Sequence, residues 1–230
     1  MSIDTAEIEF FKMIENRCAI LFDIGCREDL DYAEIAPDME MHLFEPNPKF
    51  YNKCYDKLQI LNNPNVILNN FAIGSKNAIL PYYEDAQSFI KRTTHFKSKS
   101  DPIDIPVIKL SVYLAGETIE KIDFLKMDVE GYECDILLDN VEFIKNHVKY
   151  VQFEYASTWL DNKDALSLKD IVSIFDNFNF YLLYDEKHPL FKENEYLLTQ
   201  IINEEDFTII EEYMRNAYGF NIVMIRKDLL

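Results

Sequence analysis

The stretch Ile122-Asp123-Phe124-Leu125-Lys126-Met127-Asp128-Val129-Glu130-Gly131-Tyr132-Glu133 constrains the chain most, because it reads as a buried strand that ends abruptly in acid. Ile122, Phe124 and Leu125 begin an apolar run of strand length, and Gly131 supplies the break that a strand-to-helix turn needs. Side chains two apart on a strand share a face, so Lys126, Asp128 and Glu130 are expected to point together. In open α/β sheets ligands lie beyond the carboxyl ends of the strands, where Asp128 and Glu130 stand. An isolated Asp-x-Glu is usually a pair of solvated loop acids, so the stretch gains meaning only from what the rest of the chain brings to it.

The rest alternates strand and helix patterns. Ile8, Phe11, Met13 and Ile14 follow helical spacing after Asp4 or Thr5, which predicts a capped leading helix over one sheet edge. Cys18 to Asp23 is a compact apolar run followed by Gly25, and a short helical segment around Tyr32 to Ile35 is stopped by Pro37. Met39 to Phe44, Val66 to Leu68, Tyr150 to Phe153, Phe180 to Tyr184 and Phe220 to Ile225 read as further strands. Phe50 to Leu61, Ser111 to Ala115, Tyr132 to Leu138, Leu166 to Phe178 and Ile201 to Met214 read as helices. Ala78 to Tyr83 suits an edge hairpin, and Gln87 to Pro106 is polar enough for a long loop. This rhythm predicts an α/β fold, a mostly parallel sheet with helices on both faces. No Gly/Ser/Pro-rich linker interrupts residues 1–230, so one domain is expected.

A formal charge of −18 disfavours nucleic acid and anionic membranes as partners. The one basic run, Lys91 to Lys99, suits a solvated loop, or a cover that greets an anionic group such as a sugar nucleotide. Cys18, Cys26, Cys54 and Cys134 lack paired metal-ligand spacing and read as reduced thiols, which fits a cytoplasmic setting. The opening residues lack signal-peptide character, and no apolar run reaches membrane-spanning length.

Taken as strand ends, Asp23-Ile24-Gly25-Cys26, Glu45, Asp128-Val129-Glu130 and Glu154 collect along one rim of the sheet. An acid ending a second strand suits a ribose, whose neighbouring hydroxyls one carboxylate can accept, so Glu45 is the candidate there. Gly25 permits close approach of a nucleoside, and Asp23 suits the turn or an amino group. A nicotinamide site is disfavoured, since Cys26, Arg27, Glu28 and Asp29 follow Gly25 where a G-x-G-x-x-G turn needs glycines. A Walker phosphate loop and a Gly-x-Ser-x-Gly nucleophile elbow are both absent.

On these residues the chain resembles FkbM-type S-adenosylmethionine-dependent methyltransferases. Ile122 to Glu133 resembles that family's "iD-lLK-DvEG-E" signature. Leu21 to Gly25, Phe44 to Pro48, Asn70 to Gly74, Val151 to Glu154 and Asn221 to Val223 support it in order and spacing. The resemblance runs from about Ala19 to the end and leaves the leading segment, 1–18, outside it. It implies a seven-stranded class I methyltransferase fold, Rossmann-like, with six parallel strands and one antiparallel, and O-methylation of a sugar, glycan or natural-product hydroxyl. By position, Asp23, Gly25 and Cys26 would line the methionine part of S-adenosylmethionine, Glu45 its ribose, and Phe71 with Ala72 its adenine.

An alcohol is a poor nucleophile, so its proton needs a positioned base or a metal. Asp128 and Glu154, at neighbouring strand ends, can supply a base or ligate a divalent cation through oxygen, and Glu130 can orient the acceptor. Base catalysis ranks ahead of metal assistance, because two carboxylates lack a visible third ligand. His95 is a further base candidate in the polar loop. The chain departs from the family pattern at Arg27, Glu28 and Asp29, at Ser111, and in an added helical segment from Phe191 to Met214. A rival expectation, motivated by the charges after Gly25, is a non-catalytic cofactor-binding or scaffold protein that keeps this fold.

Overall fold

The computed structural model describes residues 3–85, 87–89, 99–184, 196–216 and 219–230. Its chain order is α1 (Ile3–Ile14), β1 (Ile20–Ile24), α2 (Asp31–Ile35), β2 (Glu40–Phe44), α3 (Pro48–Leu61), β3 (Val66–Asn69), β4 (Ala72–Gly74), β5 (Ala78–Tyr82) and β6 (Ile103–Lys109). There follow α4 (Leu110–Glu117), β7 (Ile122–Met127), α5 (Glu133–Asp139), α6 (Val141–His147), β8 (Val148–Tyr155), α7 (Leu168–Ile174), β9 (Phe178–Leu183), β10 (Leu198–Gln200), α8 (Glu204–Arg215) and β11 (Phe220–Arg226).

The central sheet has the order β3-β2-β1-β7-β8-β11-β9-β10. Strands β3, β2, β1, β7 and β8 pair parallel. Strand β11 pairs antiparallel with both β8 and β9, so β9 runs with the parallel set. Six parallel strands and one antiparallel strand therefore match the expectation, and the short β10, antiparallel to β9, adds an eighth. Burial on both faces explains why β7 reads as a continuous run instead of an alternation: all six of its residues are buried.

The two faces follow from the parity of the strands. Phe22, Ile24, Leu125, Met127, Val151 and Phe153 pack against the side of α4 to α8. Leu21, Met41, Leu43, Phe124, Tyr150 and Val223 pack against the side of α1 to α3. Helix α1 covers that face, not a sheet edge. Phe10 and Phe11 are fully buried, with ring centroids 5.9 and 6.0 Å from Phe124. Helix α1 already begins at Ile3, so Asp4 and Thr5 lie within it and do not cap it, and Met13 is 53% exposed.

A second sheet, β4-β6-β5, lies outside the expected pattern. Ile103 to Pro106, expected in a loop, form the first half of β6 and pair with β5, so the predicted edge hairpin is part of a separate sheet. The segment after Phe191 is a strand and then a helix where one added helix was expected, its first residues lying outside the described ones. Asn203 opens α8 with a full capping box, accepting from the backbone of Glu205 and Asp206 while Asp206 accepts from Asn203. Asn203→Ala is expected to cost about 1 kcal/mol, read as a lowered urea midpoint at unchanged slope. Among the described residues no helix is long and apolar enough to cross a membrane, and the four cysteines are free thiols.

Candidate active site

Strand order reverses between β1 and β7, which opens a crevice at their carboxyl ends. Gly25 stands there with φ +90°, and a Cβ on it would lie 2.0 Å from the carbonyl oxygen of Asp128. The Asp128 amide donates to the Ile24 carbonyl at 2.9 Å, so the ends of β1 and β7 are held in direct backbone contact. Only a residue without a side chain fits.

A cavity opens beyond this point, lined by Gly25, Glu45, Pro46 and Ala72 together with Tyr82, Phe89, Asp128, Glu130 and Tyr132. The aromatic side is continuous: Tyr82 meets Phe89 edge-on at 5.1 Å, and Phe89 lies 6.0 Å from Tyr132. The turn after β5 is clamped to the acidic loop, because the buried Ser88 hydroxyl donates to the Glu130 carbonyl at 3.0 Å. Arg27, Gln87 and Glu130 all line the cavity with φ between 52° and 57°. Each left-handed residue costs about 1–2 kcal/mol, and strain held in this way collects at binding sites.

Glu45 ends β2 and is buried. Its carboxylate accepts the Arg27 amide at 2.9 Å and the Asn47 amide at 2.7 Å. Burial pushes its pKa up to about 7, against the pull of those two hydrogen bonds. Glu133, in the first turn of α5, braces the acidic loop by accepting the amides of Val129 at 2.8 Å and Gly131 at 2.9 Å. Burial raises it to about 8, opposed by the bond from Val129, with the charges of Asp128 and Glu130 adding to the rise.

The residues named from sequence divide into two sets. Gly25, Glu45, Ala72, Asp128 and Glu130 line the cavity together, whereas Asp23, Cys26, Phe71 and Glu154 do not. Parity turns Asp23 onto the α1 face, where it is buried 3.4 Å from the Lys126 ammonium. Lys126 shares that face, where the charges of Asp23, Glu7 and Asp128 all bear on it. Cys26 is buried, and Phe71 packs against Phe44 and Tyr113, supporting the end of β2. Glu154 lies within β8 opposite Asn221, and its carboxylate passes so close to Gly219 that a Cβ there would sit 2.5 Å from it.

Oxygens of Asp128, Glu133 and Glu154 lie within 4.8 Å of one another, so a third carboxylate does join the two foreseen. Sequence reasoning assigned Glu133 no role, although an acid in the first turn after Gly131 was the available signal. Tyr82, Phe89 and Tyr132 were missed because their meeting depends on the second sheet. His95 and the basic run from Lys91 to Ser98 lie outside the described residues.

The profile of the methyltransferase FkbM domain matches residues 28–222. The chain is 21% identical over 189 residues to the 2-O-methyltransferase NoeI of Sinorhizobium fredii, covering 74% of this chain and 76% of that protein. The crystal structure of a methyltransferase FkbM from Methylobacillus flagellatus KT superposes with a TM-score of 0.50 at 14% identity, over 72% of this chain and 40% of that one. This chain therefore spans well under half of that protein. An rRNA methylase from Streptococcus thermophilus superposes with a TM-score of 0.51 at 12% identity, over 98% and 97% of the two chains. At these identities the structural likenesses establish the fold alone.

Proposed function

The chain belongs to the FkbM methyltransferase family, and on that premise we propose that it methylates a hydroxyl of a sugar, glycan or natural-product acceptor. It is a methyltransferase whose methyl donor is S-adenosylmethionine. The observation that carries the proposal is the convergence of Gly25, Glu45, Asp128 and Glu130 on one cavity at the reversal of strand order. The 2-O-methyltransferase at 21% identity supports oxygen as the acceptor atom.

In this reading the donor lies along Gly25, its ribose hydroxyls donate to Glu45, and Ala72 borders the adenine. Asp23 and Cys26 support the turn that faces the methionine part, and Phe71 backs the adenine side. The sulfonium methyl is already activated, so the protein's work is alignment, exclusion of water and removal of the alcohol proton. Asp128 takes that proton, Glu130 orients the acceptor, and Glu154 flanks Asp128.

A divalent cation held by Asp128 and Glu154 ranks below this. The third carboxylate, Glu133, already accepts two backbone N–H groups, so its oxygens would be shared between the acidic loop and an ion. Chelation with EDTA is expected to leave the rate unchanged.

The test is mass spectrometry of candidate glycans incubated with trideuteromethyl-labelled S-adenosylmethionine, looking for the labelled methyl on oxygen. Transfer to nitrogen or carbon only, or no binding of S-adenosylhomocysteine, defeats the proposal. The role of Glu45 has its own signature. Its carboxyl is protonated below about pH 7 and must ionise to accept both ribose hydroxyls. The Kd for S-adenosylhomocysteine is therefore expected to be flat above pH 7 and to rise about tenfold per pH unit below it. Glu45→Gln is expected to bind at least ~10-fold more weakly at pH 8, with the pH dependence gone.

A further inference from the structure

Three cations crowd one aromatic ring, that of Phe50. The Arg27 guanidinium lies 5.0 Å from the centroid of Phe50, Lys53 5.5 Å and Lys49 5.9 Å. Arg27 also lines the cavity itself. In a chain of charge −18, such like-charge crowding runs against the general balance.

The carboxylates nearby offset it only in part. Glu28 pairs with Lys53 at 2.8 Å, and Glu45 is turned inward onto the backbone amides of Arg27 and Asn47. The first turn of the 14-residue α3 carries Lys49 and no acid, so the positive end of the helix dipole adds to the cations. Each cation gains something from the ring of Phe50, which holds the three together while only Lys53 is paired with Glu28.

Resting on the reading above, we propose that Arg27, Lys49 and Lys53 bind a phosphate or diphosphate group carried by the acceptor, where Arg27 lines the cavity on the ribose side of the donor. A planar guanidinium fork beside two ammonium groups matches several oxygens of a tetrahedral dianion better than it matches one carboxylate. The left-handed conformation of Arg27, φ 55°, is the backbone cost of aiming this side chain out of the turn while its amide stays on Glu45. A basic residue where the turn would otherwise carry a small one then serves the acceptor and leaves the donor's path along Gly25 open.

Isothermal titration of the full chain with inorganic pyrophosphate, with and without saturating S-adenosylhomocysteine, tests this. One site per chain is expected. Arg27→Gln should weaken it about 10-fold, and Lys49→Ala and Lys53→Ala about threefold each. Affinity for S-adenosylhomocysteine should stay within about threefold in Lys49→Ala and Lys53→Ala, and binding of pyrophosphate should fall steeply between low and high salt.

UDP binding several-fold tighter than pyrophosphate supports the proposal with a nucleotide-linked acceptor. Equal affinity supports it with a diphosphate on another carrier, such as a lipid. Absence of pyrophosphate binding, or binding unmoved by Arg27→Gln, overturns it. So does an Arg27→Gln protein that loses affinity for S-adenosylhomocysteine but not for 5′-methylthioadenosine, since Arg27 would then hold the donor's own carboxylate. If S-adenosylhomocysteine fails to bind the wild type, the methyltransferase reading of the cavity falls, and the pyrophosphate titration still decides the fate of the cation cluster.

Discussion

Asp128→Asn is expected to lower kcat for methyl transfer about 10²–10⁴-fold, a rise in barrier of about 3–5 kcal/mol, with binding of S-adenosylhomocysteine within about threefold of wild type. Asparagine keeps the shape and leaves the Asp128 amide on the Ile24 carbonyl, so the join between β1 and β7 survives. What disappears is the acceptor for the alcohol proton. The rate is measured by single turnover with the acceptor that the mass-spectrometric screen returns. A variant that keeps more than about a tenth of the rate takes the base role away from Asp128. Glu154→Gln is the informative companion, because Glu154 lies outside the cavity lining and its loss should cost less.

Gly25→Ala is expected to be the most damaging single methyl in the chain. Its Cβ would meet the Asp128 carbonyl oxygen at 2.0 Å and the carbonyl carbon at 2.9 Å, on a residue at φ +90°. Both strands would have to part to admit it, and the left-handed strain adds to the clash. Together these point to about 3–5 kcal/mol of lost stability, with affinity for S-adenosylhomocysteine lowered at least ~100-fold because the donor lies along this turn. Urea unfolding and calorimetry read the two effects separately. Gly116→Ala supplies the contrast. Gly116 sits in α4 with nothing within 4 Å of its notional Cβ, so the same substitution there should stabilise by about 0.5–1 kcal/mol.

Strand ends were legible because each is an apolar run broken by acid or glycine, and that punctuation survives in one dimension. Gly25, Glu45, Asp128 and Glu130 were found this way. Asp23 was harder, because its pairing with Lys126 depends on which face of β1 turns toward α1, and the short run leaves that parity open. The first half of β6 escaped because Asp104 and Pro106 give Ile103 to Pro106 the composition of a loop, and the pairing with β5 overrides it. The aromatic side of the cavity belongs to three elements joined only in space, so no local pattern announces Tyr82, Phe89 and Tyr132 as neighbours. Arg27 was noticed as a departure from the family pattern, but its partner Phe50 is 23 positions on and read simply as the start of a helix.

The place of β11 carries a consequence for how the molecule is made. Residues 178–200 supply β9 and β10, yet they reach the rest of the sheet only through β11, residues 220–226, which slots between β8 and β9. A nascent chain therefore emerges from the ribosome with the flank of β8 open and a two-strand ribbon whose sheet partner is not yet made. Until Phe220 and its followers arrive, that open flank can pair with a neighbouring polypeptide. Biogenesis of this enzyme should thus be most sensitive to crowding and to chaperone supply in the interval between synthesis of β9 and docking of β11, however stable the finished molecule is.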